Sequence, residues 1–268
     1  ALGLGLGWQH TLTRHRLLLV WTSVERRLSN TPGAPATSGD APVGHWAHAG
    51  WASLDTVANS GASARAACAR FRGVEVDVTF SSDLVPYLSH DFPWVGDGAE
   101  GRLSLTSAAE IEARADPALR LAALIPDAAC EVLVLDVKTD HRRVGRKAAA
   151  LVAALGERRS GVWVLSLSGP FLTALHALAP ELRLGCEGYL PIGNSLAGFD
   201  VSSLALDQLT PTRDAWARRY GLSRLYWSAR NEAEVEELRA WQPEAILIDM
   251  PRVRISTLPP GTLSEDGS

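Results

Sequence analysis

Residues 73–91 read GVEVDVTFSSDLVPYLSHD, and this stretch decides the fold. Val74, Val76, Val78 and Phe80 alternate with Glu75, Asp77 and Thr79, the period-two pattern of a strand with two distinct faces. Such alternation fits a half-solvated antiparallel strand, and equally a barrel strand whose second face looks into the lumen. In a barrel Glu75 and Asp77 would face that lumen, where two ionised carboxylates are costly without a cation.

Working outward, short apolar strands are expected to begin near Val43, Gly73, Glu131, Gly161, Leu182, Ser203, Arg224 and Ala245. The last four starts, 182, 203, 224 and 245, are 21 residues apart, room for one strand, one helix and two short loops. Helical patterns fill the gaps: SARAACARF, HRRVGRKAAALVAALGE, PFLTALHALA opening on Pro170, TPTRDAWARRYG closing on Gly221, and NEAEVEELRAW with Asn231 as its cap. Strands separated by helices pair in parallel through right-handed crossovers, and eight such units predict an α/β fold, a (β/α)8 TIM barrel with an N-terminal extension. No GxGxxG or GxxxxGK[ST] loop favours the rival open doubly wound sheet. Residues 91–129 are too long for a simple loop and are expected to form an excursion over the barrel mouth.

The domain plan is an N-terminal arm and linker over 1–42, the barrel over 43–256, and a tail over 257–268. Residues 30–44, NTPGAPATSGDAPVG, have linker composition. The first 30 residues hold no apolar run near 18 residues and do not span a bilayer as written; the arm is expected as a helix packed on the domain, with an amphipathic arm resting on a protein or membrane surface as the alternative. The chain begins on Ala1, which predicts a processed product, a soluble domain that is organellar, secreted or membrane-peripheral. A net charge of −4 and a pI near 6.0 argue against a nucleic-acid partner. Three widely spaced cysteines, Cys68, Cys130 and Cys186, indicate neither a disulfide framework nor a zinc site and are expected as small core residues.

A barrel puts its chemistry at the carboxyl ends of its strands. His48 closes VGHWAH, Glu75 and Asp77 lie in the second half of their strand, His90 follows them, and Asp136 and Lys138 close EVLVLDVK. Three carboxylates suit a hard divalent cation, Mg²⁺ or Ca²⁺. Lys138 is one of only two lysines among 26 basic residues.

Taken in order, these residues resemble the glycerophosphodiester phosphodiesterases of the phospholipase-C-like phosphodiesterase superfamily. AHAG is similar to the family's His-Arg-Gly, VANS to its Pro-Glu-Asn-Thr, VEVDVTFSSDLVPYLSHD to its Glu-x-Asp strand with a following His-Asp, and VLDVKT to its acid-x-Lys. WVLSLSGPFLTALHALAPELRLG, LYWSARNEAEVEEL and AILIDMP are similar to its later units, so the resemblance covers roughly residues 43–253. It implies a metal-dependent TIM-barrel enzyme hydrolysing small-molecule phosphodiesters or lipid headgroups: Glu75, Asp77 and Asp136 holding the metal, His48 and His90 as acid and base, and Lys138 on the phosphate. Trp227 would wall the alcohol moiety, while Asp249 is expected to cap or pair locally. A neighbouring substrate hydroxyl would attack first, giving a cyclic phosphate that water opens.

The departures matter as much. Ala49 stands where the family has Arg and Ala58 where it has Glu, which removes a phosphate clamp and shifts charge stabilisation onto the metal and Lys138. Asp136 replaces the usual Glu and is closer to the phospholipase D toxins of the same superfamily. A second function class stays open: a barrel that no longer catalyses and serves as a scaffold or assembly subunit.

Overall fold

The computed structural model describes residues 43–50, 57–90, 93–96, 99–113, 120–126 and 128–249. The arm expected over 1–42 and the tail over 257–268 lie outside them. Eight strands run in parallel: β1 (Gly44–Ala47), β2 (Gly73–Phe80), β6 (Val132–Lys138), β7 (Val162–Ser166), β8 (Arg183–Cys186), β9 (Val201–Ala205), β10 (Ser223–Ala229) and β11 (Ala245–Ile248). Their order around the sheet is β8-β7-β6-β2-β1-β11-β10-β9. The two ends of this path meet where Asp200 donates its N–H to the Leu184 carbonyl at 2.8 Å and Leu184 donates to Asp200 Oδ2 at 3.1 Å. Gly185 permits that approach, since a Cβ there would lie 2.8 Å from the Val201 carbonyl oxygen. The result is the nearly closed (β/α)8 barrel that the sequence pattern predicts.

A ninth strand, β3 (Pro86–Leu88), pairs antiparallel with β2. Beyond it the excursion carries a hairpin of β4 (Pro93–Gly96) and β5 (Ala99–Arg102) and two short helices, α2 (Ala108–Glu112) and α3 (Leu121–Leu124). The other helices are α1 (Gly61–Cys68), α4 (Val144–Leu155), α5 (Gly169–Leu178), α6 (Pro191–Leu196), α7 (Pro211–Arg219) and α8 (Glu232–Arg239). Their starts follow from local chemistry. Ser60, Ser168, Thr210 and Asn231 accept backbone N–H groups as N-caps, and prolines open α5, α6 and α7.

Strand alternation sorts the core into two layers. Val74, Val76, Leu133, Leu135, Val164 and Leu184 face outward onto buried Ala148, Leu151, Phe171 and Leu175 of the helices. Trp46, Val134, Trp163, Leu165, Val201, Leu225 and Leu247 face inward and plug the barrel floor. Trp46 and Trp163 meet edge to face at 5.0 Å between centroids, and Gly73 is required because a Cβ there would fall on the Trp46 indole. Burying each of these large side chains contributes about 1.5–3 kcal/mol, so the floor holds the acid layer above it in a fixed frame.

One expectation is corrected. Cys68 and Cys130 are not separate core residues but a disulfide, whereas Cys186 is a buried thiol outside it. Their separation of 62 residues hides the proximity in the sequence. The partnership of β2 with β6 creates it, by bringing the end of α1 beside the segment entering β6.

Candidate active site

The register between β2 and β6 aligns Glu75 with Val134, Asp77 with Asp136 and Thr79 with Lys138, so every acid lies on the inward face. Glu75, Asp77 and Asp136 are 2%, 2% and 8% exposed. One oxygen from each lies within 4.8 Å of the other two. Mutual repulsion in so small a volume needs local cations and donors, and each acid has its own. Lys138 Nζ bridges Asp77 Oδ1 at 3.1 Å and Asp136 Oδ2. Asn59 grips Asp77 from both sides: its Nδ2 donates to Oδ2 at 2.8 Å, and its Oδ1 accepts the Asp77 N–H at 2.8 Å. Ala49, with φ 51°, turns its backbone N–H onto Glu75 Oε2 at 2.7 Å. The position where an arginine side chain is expected thus contributes a main-chain donor instead.

His48 stands between two carboxylates, with Nδ1 3.5 Å from Asp249 Oδ1 and Nε2 3.8 Å from Glu75 Oε2. Burial opposes its charged form, but the hydrogen bond to Asp249 and the charge of Glu75 outweigh burial and push its pKa up to about 9. Asp249, expected to cap or pair locally, pairs with His48 beside it, because β1 and β11 are paired neighbours that end together. Burial first, then the charge of Asp77, pushes Glu75 up to about 8. Burial also raises Asp136, against the opposing pull of Lys138, whose own pKa the surrounding acids raise despite its burial.

Sequence reasoning missed Glu187. It follows β8, in line with the inward positions Arg183 and Gly185, and its carboxyl is pushed well above the ordinary range by burial and then by the charge of Asp136. The alternation RLGCE carried that signal, but the short strand and a glycine obscured it.

Trp227 is half-buried in β10, its Nε1 donating to Ser203 Oγ at 2.7 Å, which fixes the indole against the floor cluster. His90 is exposed. Ser89 donates its N–H to the Asp77 carbonyl at 3.0 Å, so the chain delivers His90 at the mouth beside the end of β2.

The donor set fits a hard divalent cation. All three acids offer oxygen, and Asp136 Oδ1 is a buried acceptor with no hydrogen-bond partner among the described residues.

No protein-family model matches the sequence, and no curated protein is similar to it in sequence. Solved structures are similar in fold. A glycerophosphodiester phosphodiesterase from Parabacteroides distasonis has a TM-score of 0.70 at 18% identity over 80% of this chain and 95% of its own. An Oleispira antarctica phosphodiesterase in complex with the product sn-glycerol-3-phosphate has 0.67 at 20% over 79% and 94%. A glycerophosphodiester phosphodiesterase from Thermotoga maritima has 0.61 at 17% over 79% and 96%. With the strand order around the barrel, these likenesses give the chain the fold of the glycerophosphodiester phosphodiesterases.

Proposed function

We propose that this chain is a metal-dependent phosphodiesterase acting on glycerophosphodiesters or lysophospholipid-like headgroups. The observation that carries the reading is the convergence of Glu75, Asp77 and Asp136 with Lys138 and His48 at the carboxyl end of a barrel of this fold. Glu75, Asp77 and Asp136 would hold Mg²⁺ or Ca²⁺, which when bound supplies Lewis-acid stabilisation of charge on phosphoryl oxygens.

The chain's own residues supply the rest. Lys138, held charged by the surrounding acids, places an ammonium beside the phosphate position. His48, whose charged form the hydrogen bond to Asp249 favours, is suited to give its proton to the leaving oxygen as the P–O ester bond breaks. His90, at the mouth, is suited to take the proton of the attacking hydroxyl as the new P–O bond forms. A neighbouring hydroxyl of the substrate as nucleophile would give a cyclic phosphate, opened when water repeats the attack. Trp227, locked by Ser203, offers an apolar wall to the alcohol moiety.

Phosphorus NMR of glycerophosphocholine and lysophosphatidylcholine incubated with the protein and Mg²⁺ or Ca²⁺ tests this reading. Cleavage that needs the ion, with loss of at least about 100-fold in Asp136→Asn, supports it. Inert substrates with either ion would favour the scaffold reading, for which Ala49 and Ala58 are the observations.

A further inference from the structure

The carboxyl end of the barrel carries a feature that the lumenal chemistry does not use. Leu167, in the loop after β7, is 55% exposed, and Tyr189 and Ile192, after β8, are 38% and 36% exposed. Leu167 and Tyr189 lie together, and Ile192 follows Tyr189 by three residues. A Cβ on Gly188 would meet Leu167 Cδ2 at 3.5 Å, and the Tyr189 hydroxyl crowds the Cβ position of Gly169. Tyr189 stacks on Phe199 at 6.4 Å, so its ring is held in place. Apolar side chains gathered at one edge of a site mouth indicate a surface that is covered in use.

The adjoining loop, between β6 and α4, reads TDHRRVGR over residues 139–146. His141 Nδ1 lies 3.2 Å from the Oγ of Ser168, the residue after Leu167, so the two loops are contiguous. Arg142, Arg143 and Arg146 are exposed. The loop's single acid, Asp140, pairs with Lys147 and accepts the Arg142 backbone N–H at 3.0 Å. Arg143 donates to the Ser82 carbonyl at 3.2 Å, and the next residue, exposed Asp83, accepts from Ser81 and the Ala108 N–H through Oδ1. Among the described residues the three arginines have no carboxylate within ion-pair distance, and the sector is cationic beside an apolar knob.

We propose that this sector of the rim docks on an anionic lipid surface, with Leu167, Tyr189 and Ile192 entering the interface and the arginines lying among lipid phosphates. Charge complementarity selects the occupant: three exposed arginines and Lys147 against the single loop acid Asp140 leave an excess of positive charge that suits an anionic headgroup layer, and a few inserted side chains suffice for interfacial binding. A stable protein partner needs roughly 800 Å² per side, more than two short loops and a turn offer. Docking stands on the patch alone. That it presents headgroup diesters to the lumen rests on the phosphodiesterase reading.

The test is sedimentation of the full chain with vesicles of phosphatidylcholine, alone or with about one third phosphatidylglycerol, at low and high salt. Two variants accompany it, Leu167→Asp and the double variant Arg142→Glu with Arg146→Glu. The expected result is binding to the anionic vesicles only, weakened by salt and at least about tenfold weaker in each variant. Hydrolysis of soluble glycerophosphocholine should be unchanged in both. No binding by the wild type overturns the proposal. Equal binding by both variants overturns it too and assigns membrane contact to residues 1–42. A solution dimer that Leu167→Asp splits, with no vesicle binding, gives the patch to a second copy and likewise overturns it. Vesicle binding without cleavage of the soluble diester would leave docking standing and remove the phosphodiesterase reading.

Discussion

Asn59 and Asp77 hold each other through two hydrogen bonds of 2.8 Å, one to the carboxylate and one from the same residue's backbone N–H. Asn59 sits at φ 53°, in the left-handed region that asparagine tolerates, just before the Ser60 cap of α1. A helix start is thereby tied to a lumenal acid 18 residues away.

Asn59→Ala leaves the buried Asp77 carboxylate short of a donor. Stability is expected to fall by about 1–3 kcal/mol, and divalent-ion affinity by roughly 10–100-fold. Ion titrations followed by melting temperature check both. An Asn59→Ala protein with wild-type ion affinity would show that Asn59 does not orient Asp77.

Proton linkage gives a second expectation. Glu75 and His48 bind protons more tightly when folded, rising from 4.5 to about 8 and from 6.5 to about 9. Stability from a raised pKa is complete below the unfolded value and is lost as pH climbs through the folded one. Chelator-treated protein should therefore lose melting temperature steadily between about pH 5 and pH 9. Asp249→Asn should flatten the upper part of that curve, and Mg²⁺ or Ca²⁺ should reverse the part due to Glu75.

Gly73→Ala drives a methyl group into the Trp46 indole, which Trp163 holds from the other side. Urea denaturation is expected to show a loss of about 1–3 kcal/mol. A neutral substitution would mean that the barrel floor is loosely packed.

The Cys68–Cys130 bond closes a loop of 62 residues, for which chain entropy gives about 4 kcal/mol. Reduction, or replacement of both cysteines by serine, should lower the denaturant midpoint correspondingly. Replacing Cys186 alone is not expected to remove that contribution, because it takes no part in the disulfide.

Much of this was legible in the sequence because a barrel lumen imposes a rule that one strand can display. GVEVDVTF alternates cleanly, so Glu75 and Asp77 declare an enclosed polar face, and the strand starts at 73 and 245 fall where the pattern puts them. What stayed hidden depends on contacts across the chain. The short β3 opens on a proline, so it carries no strand signal of its own. Glu187 follows a strand of four residues containing Gly185, too short to show which face it takes. The disulfide and the His48–Asp249 pair span 62 and 201 residues, and only the pairing of β2 with β6 and of β1 with β11 brings them together.

Thermal unfolding shows whether the three lumenal acids form a divalent-metal centre. Chelated wild type should gain about 5–10 °C in melting temperature when Mg²⁺ or Ca²⁺ is added well above its dissociation constant. Asp77→Asn, measured against its own chelated baseline, should show no ion-dependent gain. No shift of the wild type with either ion at millimolar excess, or the same shift in Asp77→Asn, would contradict the account.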